Sequence, residues 1–222
     1  MFGGYVLTAR EIVLLMAPGF FLGLVLHEIA HACTATYFGD PTPKETGRLT
    51  LNPLPHLAPI GSILMPVLLI FVGTPIIFGW ARPVTVHRDS MKHPRDLVWV
   101  AAAGPLTNMA LALTCALLYR VLSPLLPVAG PISSRLIQMI MLACPINLAL
   151  AFINLLPVPP FDGGRIIEGI FLSKRAHSIL KRIEAGGVFF IIGLVLLDPL
   201  SVTEHFFQFL GGTSKSLLGV VL

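Results

Sequence analysis

Residues 27–31 read His27-Glu28-Ile29-Ala30-His31. In a helix, positions i and i+4 share a face, so His27 and His31 project together and Glu28 sits one step round the turn. Two imidazoles on one face bind a divalent metal, usually zinc. A glutamate beside them can take a proton from a water held there. The plainer reading is a satisfied histidine pair on a buried helix. The flanks weigh against it. Phe20 to Leu26 and Ala32 to Ala35 contain nothing that breaks a helix, and the spacing predicts one helix over 11–36. That is long and apolar enough to cross about 30 Å of hydrocarbon. Three ionisable groups on one turn in lipid are costly unless they serve a function.

Composition supports the lipid setting. Hydrophobic residues are 55% of the chain, charged residues 12%, and mean hydropathy is +0.85; a soluble domain carries about 25% charged residues. The 222 residues predict one membrane-embedded unit, with a core at about 11–172 and an apolar or amphipathic extension over 173–222. The pI near 9.2 raises nucleic acid as a partner. The basic residues, however, flank apolar runs and form no dense patch, which excludes nucleic acid and fits topology determinants in a bilayer. Cys33, Cys115 and Cys144 lie far apart in apolar segments and read as small buried hydrophobes. No cleavable signal peptide is expected, because the first apolar run contains the histidines.

The remaining elements follow from punctuation. Gly39-Asp40-Pro41-Thr42-Pro43 ends the first helix, and 47–51 and 81–86 read as short strands. His56, in the turn-rich stretch Asn52 to His56, is a polar loop residue by default, or a histidine supporting a metal from behind a ligand. Residues 57–79 are apolar but interrupted by Pro59, Pro66 and Pro75, with a turn at Gly73-Thr74-Pro75, and predict a re-entrant hairpin. His87 and His93 read as solvated. Spans follow at 97–119 and 135–156, and three prolines between 157 and 160 forbid continuation of the second. Asp162-Gly163-Gly164 then places a carboxylate on a backbone that can pack closely, with helix N-cap as the ordinary alternative. The fold class is an all-α polytopic membrane protein, a helical bundle with short β-strand and re-entrant insertions.

Taken in order, His27 to His31, Gly104-Pro105-Leu106-Thr107-Asn108, and Asn154-Leu155-Leu156-Pro157 through Asp162-Gly163-Gly164 resemble the site-2 protease family of intramembrane zinc metalloproteases. The likeness covers about residues 20–172. It implies one Zn2+ per chain held by His27, His31 and Asp162, with Glu28 as catalytic acid and base. It also implies a transmembrane protein as substrate. The chain looks like a compact member, with the 57–79 insertion and no PDZ or CBS module.

Two topologies bring Asp162 near His31. If 57–79 enters and returns, 11 of 15 basic residues (Lys44, Arg48, Arg82, Arg88, Lys92, Arg95, Arg165, Lys174, Arg175, Lys181, Arg182) share the cytoplasmic side. A single crossing divides them 10 against 4, without Lys215. The hairpin is preferred because the ligands then converge from one side. Buried amides at Asn108 or Asn154 could stabilise an oxyanion or hold substrate backbone, or could simply bond between helices. An unwound substrate segment could dock as a strand near Leu49 or Val84. Two other classes fit parts of the pattern. A metal-binding membrane transporter has no need of Glu28, and a non-catalytic scaffold would tolerate its loss.

Overall fold

The computed structural model describes residues 8–72, 81–126, 130–173, 178–180, 182–183 and 202–219. The long helix α1 runs Ala9–Tyr37 and is followed by a single turn, α2, at Thr42–Glu45. A π-helical stretch Pro59–Leu64 leads into α3 at Met65–Val72. The bundle is completed by α4 (Asp96–Leu122) and α5 (Pro131–Asn154), then by the shorter α6 (Asp162–Ile170) and α7 (Val202–Leu218). Three of these helices, α1, α4 and α5, are long and apolar enough to cross a membrane.

Local sequence accounts for the ends of α1. The Thr8 hydroxyl accepts the Glu11 N–H at 3.3 Å and the Glu11 carboxylate accepts the Thr8 N–H at 3.0 Å, a reciprocal capping box. Each span carries one internal proline, Pro18, Pro105 or Pro145. Such residues persist in membrane helices because neighbouring helices re-satisfy the freed backbone. The spans pack pairwise through small residues. Gly19 lies so close to Ala143 that an added Cβ would stand 2.6 Å from the alanine methyl. Asn147 crosses the same seam and donates to the Gly19 carbonyl at 3.3 Å.

The tail is part of the bundle. Leu210 and Leu218 of α7 join Ala112, Ala116, Cys144 and Leu148 in one apolar cluster. Phe209 meets Phe152 edge-on at 5.5 Å. The expected apolar stretch 186–199 lies outside the described residues. The cysteines differ from expectation in one case: Cys144 is buried and Cys115 half-buried, but Cys33 is exposed on the outer face of α1.

Neither expected strand forms, and the reason is the same in both. In each, backbone donors go to partners other than a neighbouring strand. Around 47–51, the Thr50 hydroxyl accepts from Asn52 N–H and the Asn52 side chain from Leu54 N–H, each at 3.1 Å. Gly47 turns the chain at φ +67°. Across 81–86, Ala81 makes one isolated antiparallel bridge to Leu57, and Arg82 N–H bonds the His56 carbonyl at 2.8 Å. Pro83 has no donor, and Val84 N–H goes to a carboxylate on α1.

Those two contacts, Leu57 with Ala81 and His56 with Arg82, form a closed neck. The two ends of the 57–79 insertion meet, whereas a single crossing would part them by about 30 Å. The described arm of the insertion is apolar and outward-facing, with Ile60, Ile63, Leu64, Val67 and Phe71 exposed. The expected turn at residues 73–75 lies outside the described residues.

Candidate metal centre

His27 and His31 sit one turn apart on α1, buried, with ring centroids 4.6 Å apart and planes at 83°. Their Nε2 atoms are 3.0 Å apart. Asp162, 131 residues further on, places Oδ2 3.1 Å from His27 Nε2 and 3.2 Å from His31 Nε2. Among the described residues this is the group of histidine, cysteine and carboxylate side chains close enough to share an ion.

Two glycines and a broken helix end bring Asp162 there. After α5, the loop 155–160 folds back over the first turn of α6. A Cβ on Gly163 would collide with the Leu155 and Leu156 carbonyls, and one on Gly164 would stand 2.6 Å from Pro159 N. Helix α6 docks on α4 through Gly169, packed against Val98. Asp162 is not the N-cap considered above. Phe161 holds that position, without a side-chain cap bond, and Asp162 is the first helical residue. Its carboxylate is free to face the histidines.

The far sides of the rings set which nitrogen of each neutral imidazole carries its proton. His31 Nδ1 lies 2.7 Å from the Val100 carbonyl, which only accepts, so Nδ1 carries the proton and Nε2 presents a lone pair. His27 Nδ1 lies 3.1 Å from the Asn108 amide, whose Oδ1 is buried without a partner. Oxygen and nitrogen of such an amide are exchanged by a half-turn. With Oδ1 on the ring, Nδ1–H donates to it, and Nε2 of the neutral His27 ring is bare as well. With both rings neutral, three lone pairs then converge at 3.0–3.2 Å. Tetrahedral ligands at bond lengths of about 2.0–2.1 Å stand roughly 3.3 Å apart. The donor set therefore fits a divalent cation such as zinc.

Gly104 on α4 closes the group from one side. A Cβ there would stand 2.6 Å from His27 Nε2 and collide with His31 Nε2. Sequence reasoning singled out the Gly104 to Asn108 stretch but not this role. The available signal was spacing: Val100, Gly104 and Asn108 recur every four residues and line the face of α4 that meets the histidines.

Glu28 is buried beside the group, and its Oε2 accepts the Val84 N–H at 2.9 Å. The other residues singled out from sequence lie elsewhere. Asn154 turns its amide onto the Leu150 carbonyl of its own helix at 2.8 Å. His56 is fully buried, with Nε2 on the Thr50 carbonyl at 2.9 Å and Nδ1 without a partner. Glu168, a further carboxylate on α6 not considered above, faces Arg88 at 3.9 Å. His87 and His93 are exposed as expected, although His87 Nδ1 also meets the Thr42 hydroxyl at 2.9 Å.

A membrane-type helical bundle with a buried two-histidine, one-carboxylate group and an adjacent glutamate has the layout of a metal-dependent hydrolase. Comparison with known proteins agrees. Residues 124–197 match the family described as Peptidase family M50. Three relatives share the printed name "Putative zinc metalloprotease". YwhC of Bacillus subtilis is 40% identical over 182 residues, covering 81% of this chain and 78% of that protein. Rip2 of Mycolicibacterium smegmatis is 30% identical over 197 residues, 89% of this chain and 71% of that protein. MJ0611 of Methanocaldococcus jannaschii is 31% identical over 157 residues, 71% of this chain and 70% of that protein. No solved structure matches. The chain belongs to peptidase family M50, the site-2 protease family, and is a membrane metalloprotease.

Proposed function

We propose that this chain is an intramembrane zinc endopeptidase that hydrolyses peptide bonds in or near transmembrane segments of membrane proteins, with His27, His31 and Asp162 holding one Zn2+ and Glu28 moving the proton. The observation that carries the assignment is the convergence of three ligand atoms at 3.0–3.2 Å next to a buried carboxylate. When bound, zinc acidifies a water and polarises a carbonyl as a Lewis acid.

The chain's own residues do the rest. Val84 N–H holds Glu28 Oε2, which leaves Oε1 to accept the proton and return it to the leaving amine. The Val100 carbonyl and the Asn108 amide fix both imidazoles with Nε2 forward. Asn108 is thus assigned as a positioning residue for His27. Asn154 would have to release Leu150 before it could hold a substrate. His56 supports the loop at Thr50. A helical substrate hides its peptide bonds, so it must unwind before reaching the group. The whole chain, 1–222, acts as one catalytic unit in the cell membrane, with the group opening towards the cytoplasmic face where most basic residues lie.

The test uses full-length protein in nanodiscs with membrane-spanning test peptides. Cleavage that is lost on chelation and restored by zinc supports the assignment. Cleavage of the same peptides that is indifferent to chelation and zinc overturns it.

A further inference from the structure

We propose that the cavity between Arg48 and Arg82 is a carboxylate-binding subsite that engages the peptide substrate beside Glu28. The proposal rests on the peptidase reading above and deepens it.

The cavity has a volume of about 160 Å3 and is lined by Thr46, Arg48, Pro55, Arg82 and Thr85, two guanidiniums and two hydroxyls among five residues. Arg48 is 7% exposed. Its Nη1 donates to the Pro55 carbonyl and, at 3.4 Å, to the Arg82 carbonyl, the two sides of the closed neck. Those acceptors are neutral. The ion pairs among the described residues join His27 and His31 to Asp162, Arg88 to Glu168, and Arg135 to Glu11; none involves Arg48 or Arg82. A buried guanidinium whose direct partners are all neutral is expensive, and the exposed Arg82 beside it adds a like charge. Burial, then the like charge of Arg82, draw the Arg48 pKa below its ordinary value, while the Glu28 carboxylate acts in the opposite sense from nearby. An entering oxyanion would relieve this arrangement.

Position decides which oxyanion. Thr85 lines the cavity, and its neighbour Val84 holds Glu28. An occupant of the cavity therefore sits against the segment that bears on the proton carrier. The lining itself is two arginines, two threonines and a proline, with no aliphatic slot for an acyl chain. The planar fork of arginine matches a carboxylate in a bidentate manner. Two sources share that chemistry: an acidic side chain near the scissile bond, and the new chain end left by hydrolysis.

The test is equilibrium binding to full-length, zinc-loaded Glu28→Gln protein in phosphatidylcholine nanodiscs. Three sets of fluorescent membrane-spanning peptides serve as probes: amidated peptides with one Glu walked through the juxtamembrane positions, the same with Gln, and the Gln peptides with a free carboxylate end. At least one acid-bearing peptide should bind about tenfold tighter than its amidated Gln counterpart. A Glu preference identifies the side chain, and a free-end preference identifies the product. In Arg82→Gln the preference should fall to about one, since the neck uses only the main chain of residue 82. Arg48→Gln should do the same, and the ratio within each variant is insensitive to the amount folded. Equal binding of all three sets, or a preference that survives both substitutions, overturns the proposal. So does an Arg82→Gln effect seen only with phosphatidylglycerol in the nanodisc, which would assign the cavity to a lipid phosphate. Failure of the peptidase reading looks different: wild-type, zinc-loaded protein would cleave none of the peptides, and the binding ratios would still decide the subsite.

Discussion

Val84 donates its backbone N–H to Glu28 Oε2 at 2.9 Å, joining the segment after the insertion to the residue beside the first histidine. The contact gives the carboxylate one held oxygen and one available oxygen. It also explains why residues 81–86 fail to become a strand: the donor that would join a ladder is spent on a side chain.

Glu28→Gln keeps the size of the side chain and, through its amide oxygen, the bond to Val84. The protein should retain its zinc and its fold, because Glu28 lies outside the ligand group. Cleavage should fall by about a hundredfold or more. Metal analysis and peptide cleavage on one preparation check both halves. Near-normal cleavage by a zinc-loaded Glu28→Gln protein would remove Glu28 from the proton path.

Zinc content should be about one per chain, and His27→Ala, His31→Ala and Asp162→Ala should each lower it sharply, since each removes one of three ligands. Asn108→Leu should weaken zinc binding by about 10–100-fold without abolishing it, because it frees the His27 ring without removing a donor. Full occupancy in Asp162→Ala would place the third ligand elsewhere.

Gly104→Ala sets two effects against each other. Alanine favours helix over glycine by roughly 1 kcal/mol. The added methyl would stand 2.6 Å from His27 Nε2 and collide with His31 Nε2. Packing should win, with zinc and activity lost while circular dichroism shows α4 intact. A zinc-replete Gly104→Ala protein would mean that α4 can draw back from the histidines.

Reporters fused after Thr46, Arg95 and Arg182 should all report the cytoplasm, and one near Pro127 the opposite face. The closed neck between Leu57 and Ala81 requires Thr46 and Arg95 to agree. Opposite reports from those two sites would show that the insertion crosses the membrane.

Asp40, fully buried after α1, accepts the Thr42 N–H at 3.0 Å and the His87 N–H at 2.6 Å. Burial alone would raise its pKa, but these bonds overrule it and hold the carboxyl below its ordinary value. The ionised form is therefore the one the fold prefers. Its contribution is complete above the unfolded pKa of about 4 and is lost as the pH falls through the lower folded value. Asp40→Asn should lower stability at pH 7 by about 1–3 kcal/mol and flatten the acid limb of a thermal-unfolding profile in detergent. An unchanged acid limb would show that other carboxylates dominate.

How far the sequence could be read depended on where each hydrogen bond goes. His27 and His31 were legible because an i, i+4 pair is local. Asp162 stands 131 residues from His31, so only its likeness to a known family, not spacing, joined it to them. The spans at 97–119 and 135–156 were legible from length and hydropathy; the first runs Asp96–Leu122, and the second, Pro131–Asn154, starts and ends earlier than expected. The two strands were misread because alternation reports side chains, whereas Thr50, Asn52 and Glu28 divert backbone donors. Gly104 was visible as part of a motif, but its role depends on an absent methyl, which no pattern of side chains displays. Asn108 had two open readings until its amide was found on His27.

The closed neck makes the insertion a side-loop: the chain leaves at Leu57 and comes back to the same point at Ala81. Its length is thereby decoupled from the catalytic geometry. Residues can be added to or removed from the excursion without altering the path that links His27, Glu28, Val84 and Asp162. The entropic cost is small, about 0.6 kcal/mol for each doubling of loop length. Variation in chain length among relatives should therefore collect in the excursion.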